Sequence, residues 1–378
     1  MTPFSFIHGP SILSGPGSAV DLAAKLPDGD VLFVTDADVR RFGLTDPMID
    51  ALREAGREVR IFHSVEADPS RATVMAAVEA GRGASTVVGF GGGSPMDVAK
   101  LAAYLIGSGD DLDNIWGVGL ATGQGLPLAL VPTTACTGSE ATPVAVITCE
   151  GDEKRGVNSA ALLATWTALD ATLTLGKPRS LTAATGIDAM VHAIEAYTSA
   201  RLKNPLSDMY AREALKLLSA NLLTACERPD DLDARSAMLL GAHYAGIAFA
   251  NAPVAGVHAL AYPLGGLHHI PHGLSNALML RHVLQHNCEA ARDHYAELAE
   301  IVAPECIGGS QAKCAALITA MDEMATRSGL KLRLRDHGVS EDEAPLLARE
   351  AMKQQRLLVN NPCPIGEDDA RRLYEAAW

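Results

Sequence analysis

The sequence predicts a parallel α/β domain over residues 1–178 followed by an all-α domain over 179–378. Three observations lead there. At 378 residues and 48% hydrophobic content, the chain is long and apolar enough for two domains with sizeable cores. Up to about residue 150, short β-branched-rich runs alternate with helix-forming runs, the pattern of β-α-β units and a parallel sheet. Near GKPRSLTAATG the composition changes, and strand signals give way to a succession of helical segments.

The first run, VLFVTD at 31–36, reads as a strand ending in Asp36. A carboxylate there has two readings, a cap for the following ADVRRFG or an acceptor for a ribose 2′-hydroxyl, and residue type alone favours the cap. REVRIFHSVEADPS reads as a strand and a turn, with Asp68 before Pro69 suited to start the turn. The helix RATVMAAVEAGRG then leads to the apolar strand and glycine-rich turn TVVGFGGG. Glycines 91–93 let the backbone approach a ligand, and a helix opening at Ser94-Pro95 presents its N-terminus to an anion. The usual G-x-G-x-x-G after the first strand is missing, and the glycine turn arrives only at Gly91, which fits a Rossmann-like variant. No Walker lysine follows the turn; Asp97 and Lys100 lie within the helix instead.

LPLALVPTTACTGSEATPVAVIT gives another buried strand, a hydroxyl-rich loop and a further strand. Thr133, Thr134, Thr137 and Ser139 offer donors for a pyrophosphate or ribose, and serve turn chemistry equally well. Cys136 in that loop has two readings, a reactive thiol or a small residue in a tight turn, and the turn is favoured. Lys154 in GDEKRG reads by itself as a solvated lysine.

Beyond Pro178, YAREALKLLSANLLTAC, ARSAMLLGAHYAGIAFA, SNALMLRHVLQHN, AKCAALITAMDEMATRSG and DDARRLYEAAW all read as helices. Asp188 and His192 in GIDAMVHAIEAYTS are four residues apart and leave one helical face, while Ile187, Met190, Val191 and Ile194 supply a neighbouring apolar face. A carboxylate and an imidazole at that spacing are half of a first-row metal site, and His258 and His272 are candidates to complete it. One aspartate with three histidines suits Fe(II) or Zn(II). Read one at a time, each of these histidines is as well explained by ordinary packing or solvation. His258 and Tyr262 are again four apart, so one helix can aim both the same way, and His268 and His269 crowd the loop that follows.

A formal net charge of −14 argues against nucleic acid and anionic membrane as partners. No apolar run reaches a membrane span, and MTPFSFIHGP lacks the features of a signal peptide, so a cytoplasmic protein is expected. Seven scattered cysteines without a CxxC pair suggest reduced thiols. There is no G-x-S-x-G elbow of a serine hydrolase.

GGGSPMDVAK, PTTACTGSE, GIDAMVHAIEAYTS and PHGLSNALML, in this order, resemble the signatures of the iron-containing (group III) alcohol dehydrogenase family. The similarity runs from FSFIHGP to NNPCPIGEDDARRLYEAAW. The resemblance implies a Rossmann-like NAD-binding domain and a helical metal-binding, catalytic domain, an architecture shared with dehydroquinate synthase. It implies cofactor contacts at Asp36, Asp68, Gly92, Gly93, Ser94, Pro95, Met96, Thr133, Thr134, Thr137 and Lys154, with NAD preferred over NADP because Asp36 matches the cofactor-selecting position. It implies Fe(II) held by Asp188, His192, His258 and His272, a small alcohol or aldehyde as substrate, and a homodimer. Tyr262 departs from the histidine that several family members carry near the substrate, which puts proton relay there in doubt. His268 and His269 match no family ligand and have two readings, shaping the substrate pocket or standing in solvent, of which the pocket is favoured. Arg281 and Ala171 also replace family prolines. A maleylacetate reductase or a hydroxyacid–oxoacid transhydrogenase of the same fold is the alternative. The basic residues that a dehydroquinate-synthase-like lyase needs for a phosphorylated substrate are not evident. A sensor without turnover is disfavoured by the joint presence of ligands and glycine turn.

Overall fold

The computed structural model describes residues 3–150 and 154–378, and the chain divides into two compact units. One comprises Ile7–Thr134 and Gly138–Leu175. The other comprises Gly176–Trp378 with Ala135–Thr137 and the segment ending at Phe6.

The first unit contains, in order, β1 (Ser11–Ser14), α1 (Ser18–Ala23), β2 (Val31–Val34), α2 (Ala37–Arg41), α3 (Asp46–Glu54), β3 (Val59–Phe62), α4 (Arg71–Ala80), β4 (Thr86–Gly91), α5 (Gly93–Ser108), β5 (Gly117–Val118), β6 (Leu128–Pro132), β7 (Val144–Thr148), β8 (Lys154–Asn158) and β9 (Trp166–Leu169). Six strands form a parallel sheet in the order β1-β9-β6-β4-β2-β3. Successive side chains on a strand point to opposite faces. Leu32 and Val34 therefore join Val87 and Leu130 in a core beneath α4 and α5, while Val31 and Phe33 join Val88 and Phe90 in a second core with α1 and α3. Cover on both faces explains why VLFV and TVVGFG read as unbroken apolar runs.

PVAVIT does not extend this sheet. β7 pairs antiparallel with β8, and β5 joins β8 from the other side, giving a separate three-stranded sheet.

The second unit is helical: α6 (Arg179–Thr198), α7 (Pro205–Glu227), α8 (Leu232–Asn251), α9 (Gly256–His268), α10 (His272–Asn287), α11 (Arg292–Val302), α12 (Ser310–Arg327), α13 (Ala344–Ala351), α14 (Gln355–Leu358) and α15 (Glu367–Ala377). α6 is buried without a break from Gly186 to its end at Thr198, as expected of a helix enclosed by neighbours on all sides. Among the described residues no single helix is long and apolar enough to cross a membrane; α8 and α9 reach that composition only as a pair bent by 106°.

The expectation of reduced thiols throughout needs correction at one place. Cys288 and Cys314 stand in disulfide contact, with Cα atoms 6.5 Å apart. They lie 26 residues apart, and only the packing of α12 near the end of α10 makes them neighbours, which their spacing could not show.

Candidate nucleotide and metal sites

At the carboxyl ends of β2, β4 and β6 the chain turns three times in adjacent positions, because Val34 pairs with Gly89 and Gly91 with Pro132. Asp36 caps α2, accepting the Val39 N–H on Oδ1 at 2.7 Å. Its Oδ2 stays close to the glycine turn: a Cβ on Gly91 would lie 3.2 Å from it and 2.8 Å from Pro95 Cγ. Gly91 also has φ +150°, so the turn excludes a side chain on both counts. Gly92 caps the sixteen-residue α5 without a side chain, leaving the opening N–H groups of Gly93 and Ser94 to face an anion. Thr134 Oγ1 lies 3.7 Å from where a Cβ on Gly92 would sit.

Two predicted contacts turn inward. Met96 is 1% exposed and packs in the core beneath α5, and Thr133 is 1% exposed. Both side chains are enclosed, and the Thr133 hydroxyl is buried without a hydrogen-bond partner among the described residues. Thr137 groups with the helical unit, together with Ala135 and Cys136. Asp68, at φ +54°, forms an ion pair with Lys154, so these two expected positions do meet.

Lys100 emerges as more than a helix residue. It is fully buried and donates to Ser139 Oγ at 2.7 Å, Thr142 Oγ1 at 3.1 Å and the Val144 carbonyl at 2.6 Å. Asp97, 3.7 Å away, accepts from Ser139 Oγ at 2.7 Å and the Val146 N–H at 2.9 Å. The network ties α5 to the strand and turn that follow the hydroxyl-rich loop. Burial pushes the Lys100 ammonium down to about 8, opposed by Asp97 and Glu140. Between about pH 8 and its ordinary value of 10.5, the unfolded chain holds this proton while the folded chain has released it. Stability from this residue therefore rises with pH across that window. Comparing urea midpoints of the parent and Lys100→Met at pH 7.5 and pH 10 should show the parent gaining about 2–3 kcal/mol relative to the variant. A constant difference would show that Lys100 titrates normally.

In the helical unit, α6 supplies Asp188 and His192, α9 supplies His258, and α10 opens with His272. One donor atom from each lies within 4.8 Å of all the others. His258 Nε2 is 3.0 Å from His192 Nε2 and 3.9 Å from Asp188 Oδ1, and His272 Nε2 is 3.5 Å from that same oxygen. Bonds of about 2.0–2.2 Å to one ion set its ligands roughly 3–4 Å apart, so the set fits a first-row cation. Asp188, His192 and His258 are buried, whereas the His272 side chain is 42% exposed and leaves the centre open on its side.

The electrostatics agree with that fit. Burial drives His192 down to about 3 against the pull of Asp188, so its ring is neutral. Burial would raise Asp188, but the neighbouring imidazoles and the Cys136 thiol hold it at about 2, so it is ionised. A carboxylate with neutral imidazole is the protonation state a metal requires.

Three neighbours have no predicted role at the metal centre. Asn276 Nδ2 donates to Asp188 Oδ1 at 2.5 Å, and Cys136 Sγ donates to Asp188 Oδ2 at 3.1 Å. Cys136 is therefore more than a small turn residue. Glu195 Oε2 lies 2.7 Å from His258 Nδ1. Its signal was present, since Asp188, His192 and Glu195 follow at i, i+4 and i+7 on one helix.

Tyr262 lies one turn beyond His258, its ring centroid 6.2 Å from that of His272. His268 ends α9 with its Nε2 3.5 Å from Glu343 Oε1, and it is not one of the four grouped residues. His269 is exposed, in the left-handed region at φ +54°.

Comparison with known proteins matches both halves of the chain. The sequence model described as iron-containing alcohol dehydrogenase covers residues 9–171, and that described as the C-terminal part of the Fe-containing alcohol dehydrogenase family covers 182–378. Long-chain-alcohol dehydrogenase 1 of Geobacillus thermodenitrificans is 38% identical over 92% of this chain and 89% of its own. The NAD-dependent methanol dehydrogenase of Bacillus methanolicus is 32% identical over 92% of this chain and 93% of its own. Among solved structures, a 1,3-propanediol oxidoreductase superposes with a TM-score of 0.96 at 34% identity, covering 100% of both chains.

Proposed function

Since the chain belongs to the iron-containing alcohol dehydrogenase family, we propose that it transfers a hydride reversibly between a small alcohol and its aldehyde or ketone, with NAD(H) as partner and Fe(II) held by Asp188, His192, His258 and His272. The observation that carries this reading is the convergence of those four donors from three helices.

When bound, the metal supplies Lewis acidity to the substrate oxygen, and this ligand set would accept Zn(II) about as readily as Fe(II). The chain's own residues do the rest. Asp188 contributes the negative charge and is steadied by the Asn276 amide. His272, exposed at the start of α10, marks the side where a substrate oxygen would enter. Tyr262 stands beside it as a hydrogen-bond donor; a tyrosine titrates too high to relay protons as a histidine would. In the α/β unit the Gly92–Ser94 turn would receive the pyrophosphate on the N-terminus of α5. Asp36 Oδ2, beside that turn, would accept from the ribose 2′-hydroxyl and repel a 2′-phosphate, so NADH is preferred. Within the same unit Lys154 and Asp68 complete the proposed cofactor contacts, with Pro95, Met96, Thr133 and Thr134.

The test is NADH and NADPH oxidation against small aldehydes and oxoacids, using protein stripped of metal and then reloaded with Fe(II) or Zn(II). Aldehyde reduction should return with metal and favour NADH at least about tenfold, a difference of about 1.4 kcal/mol. Undiminished turnover in the stripped protein would remove the metal from the mechanism, and turnover confined to oxoacids would move the substrate to the maleylacetate or transhydrogenase class. We include in this reading a cytoplasmic homodimer joined along β1, which forms one edge of the sheet with Ile12 42% exposed. A one-chain mass in light scattering would rule out the dimer.

A further inference from the structure

α9 begins at Gly256, and Ala255 before it has no side chain that can cap a helix. The opening N–H groups are nevertheless satisfied from elsewhere. Ala255 N donates to Glu195 Oε2 at 2.9 Å, Val257 N to Glu195 Oε1 at 2.6 Å, and Gly256 N to Asn361 Oδ1 at 3.2 Å. Glu195 is 4% exposed, and it reaches this turn from α6, 60 residues earlier in the chain. A carboxylate is favourable there because the helix N-terminus carries partial positive charge. The same Oε2 also lies 2.7 Å from His258 Nδ1.

We infer that Glu195 is a positioning residue for the metal centre, clamping the backbone of the first turn of α9 and the ring of His258 with one carboxylate. Both Glu195 oxygens accept backbone N–H groups, and with Oε2 an acceptor toward His258 as well, Nδ1 carries the hydrogen and Nε2 keeps its lone pair. Nε2 is the atom that faces His192 at 3.0 Å and Asp188 at 3.9 Å. α6 thus supplies two donors of the centre directly and orients a third through Glu195. His258 sits three residues into a helix that has no cap of its own, so its position depends on the clamp in both backbone and ring.

This inference rests on the proposed metal centre, and the experiment separates the two. Zn(II) affinity is measured by competition with a chromophoric chelator for the parent, Glu195→Ala and Glu195→Gln, alongside the thermal midpoint of each metal-free protein. Alanine removes every acceptor; glutamine keeps one oxygen for His258 and Ala255 but faces Val257 N–H with another donor. Affinity should fall about 100-fold in Glu195→Ala and about 10-fold in Glu195→Gln, the range seen when partners of metal-bound histidines are removed. Variants that melt earlier yet bind Zn(II) as the parent does would reduce Glu195 to a helix cap and overturn the inference. If Glu195→Ala does not fold, parent-like affinity in Glu195→Gln overturns it alone. A parent that binds neither Zn(II) nor Fe(II) would overturn the metal centre and this inference together.

Discussion

His258→Ala is expected to lower kcat/KM for aldehyde reduction on the order of 10³-fold, equivalent to about 4 kcal/mol of transition-state stabilisation. His258 is 2% exposed, and its Nε2 lies within 3.9 Å of donors from both His192 and Asp188. Alanine would remove a ligand from the middle of the set, leaving three groups around a gap. It would also leave the Glu195 carboxylate, buried beside it, without its imidazole partner. Because metal acidity acts on charge that develops during the reaction, the loss should appear mainly in kcat. His286→Ala is the matched control: that ring lies 3.0 Å from the Pro364 carbonyl at the far end of α10 and stands outside the four, so its kcat/KM should stay within about threefold of the parent, under about 0.7 kcal/mol. Metal content by elemental analysis and initial rates on the same preparations decide the matter. Full activity and full metal in His258→Ala would remove it from the centre.

The parts of this molecule legible in the sequence were those governed by local periodicity. Asp188 and His192 could be paired because the helical repeat places i and i+4 together, and the structure indeed sets both on α6. The glycine turn and Asp36 were legible because parallel strands present their carboxyl ends on one side, and β2 and β4 are direct neighbours. Glu195 obeyed the same helical rule but was missed, because its purpose becomes visible only when α9, more than 60 residues later, brings Ala255, Val257 and His258 to it. Thr133 and Thr134 are adjacent and chemically alike, yet one is enclosed and the other is partly open beside the glycine turn. Residue type carries no information on that difference. The small sheet was hidden for another reason: β5 has two residues, and β8, KRGVN, has a basic start and a glycine rather than an apolar run.

Gly273→Ala is expected to destabilise the folded protein by about 1–3 kcal/mol, although helix propensity alone predicts a gain of about 1 kcal/mol. Gly273 is the second residue of α10 and follows His272 directly. A Cβ there would sit 2.6 Å from the Ala184 carbonyl oxygen, 2.9 Å from its carbon and 3.3 Å from Asp188 Cβ. The first two are backbone atoms of α6 and cannot rotate away. Ordinary carbon–oxygen contacts begin near 3.3 Å, so the start of α10 would have to retreat by about 0.7 Å or more. That turn carries His272, and one turn later Asn276, which holds Asp188. A metal site tolerates only about 0.2 Å of error in its bonds, and a misplacement near 1 Å typically costs about 100-fold in rate. Gly273→Ala should therefore lose metal affinity and roughly 100-fold in kcat/KM as well as stability. Gly266→Ala within α9 supplies the contrast, since a Cβ there meets nothing within 4 Å. It should follow propensity and gain about 0.5–1 kcal/mol. Thermal midpoints moving in opposite directions for the two variants would establish that close approach of α10 to α6 holds His272 at Asp188; a stabilised Gly273→Ala that keeps its metal would refute it.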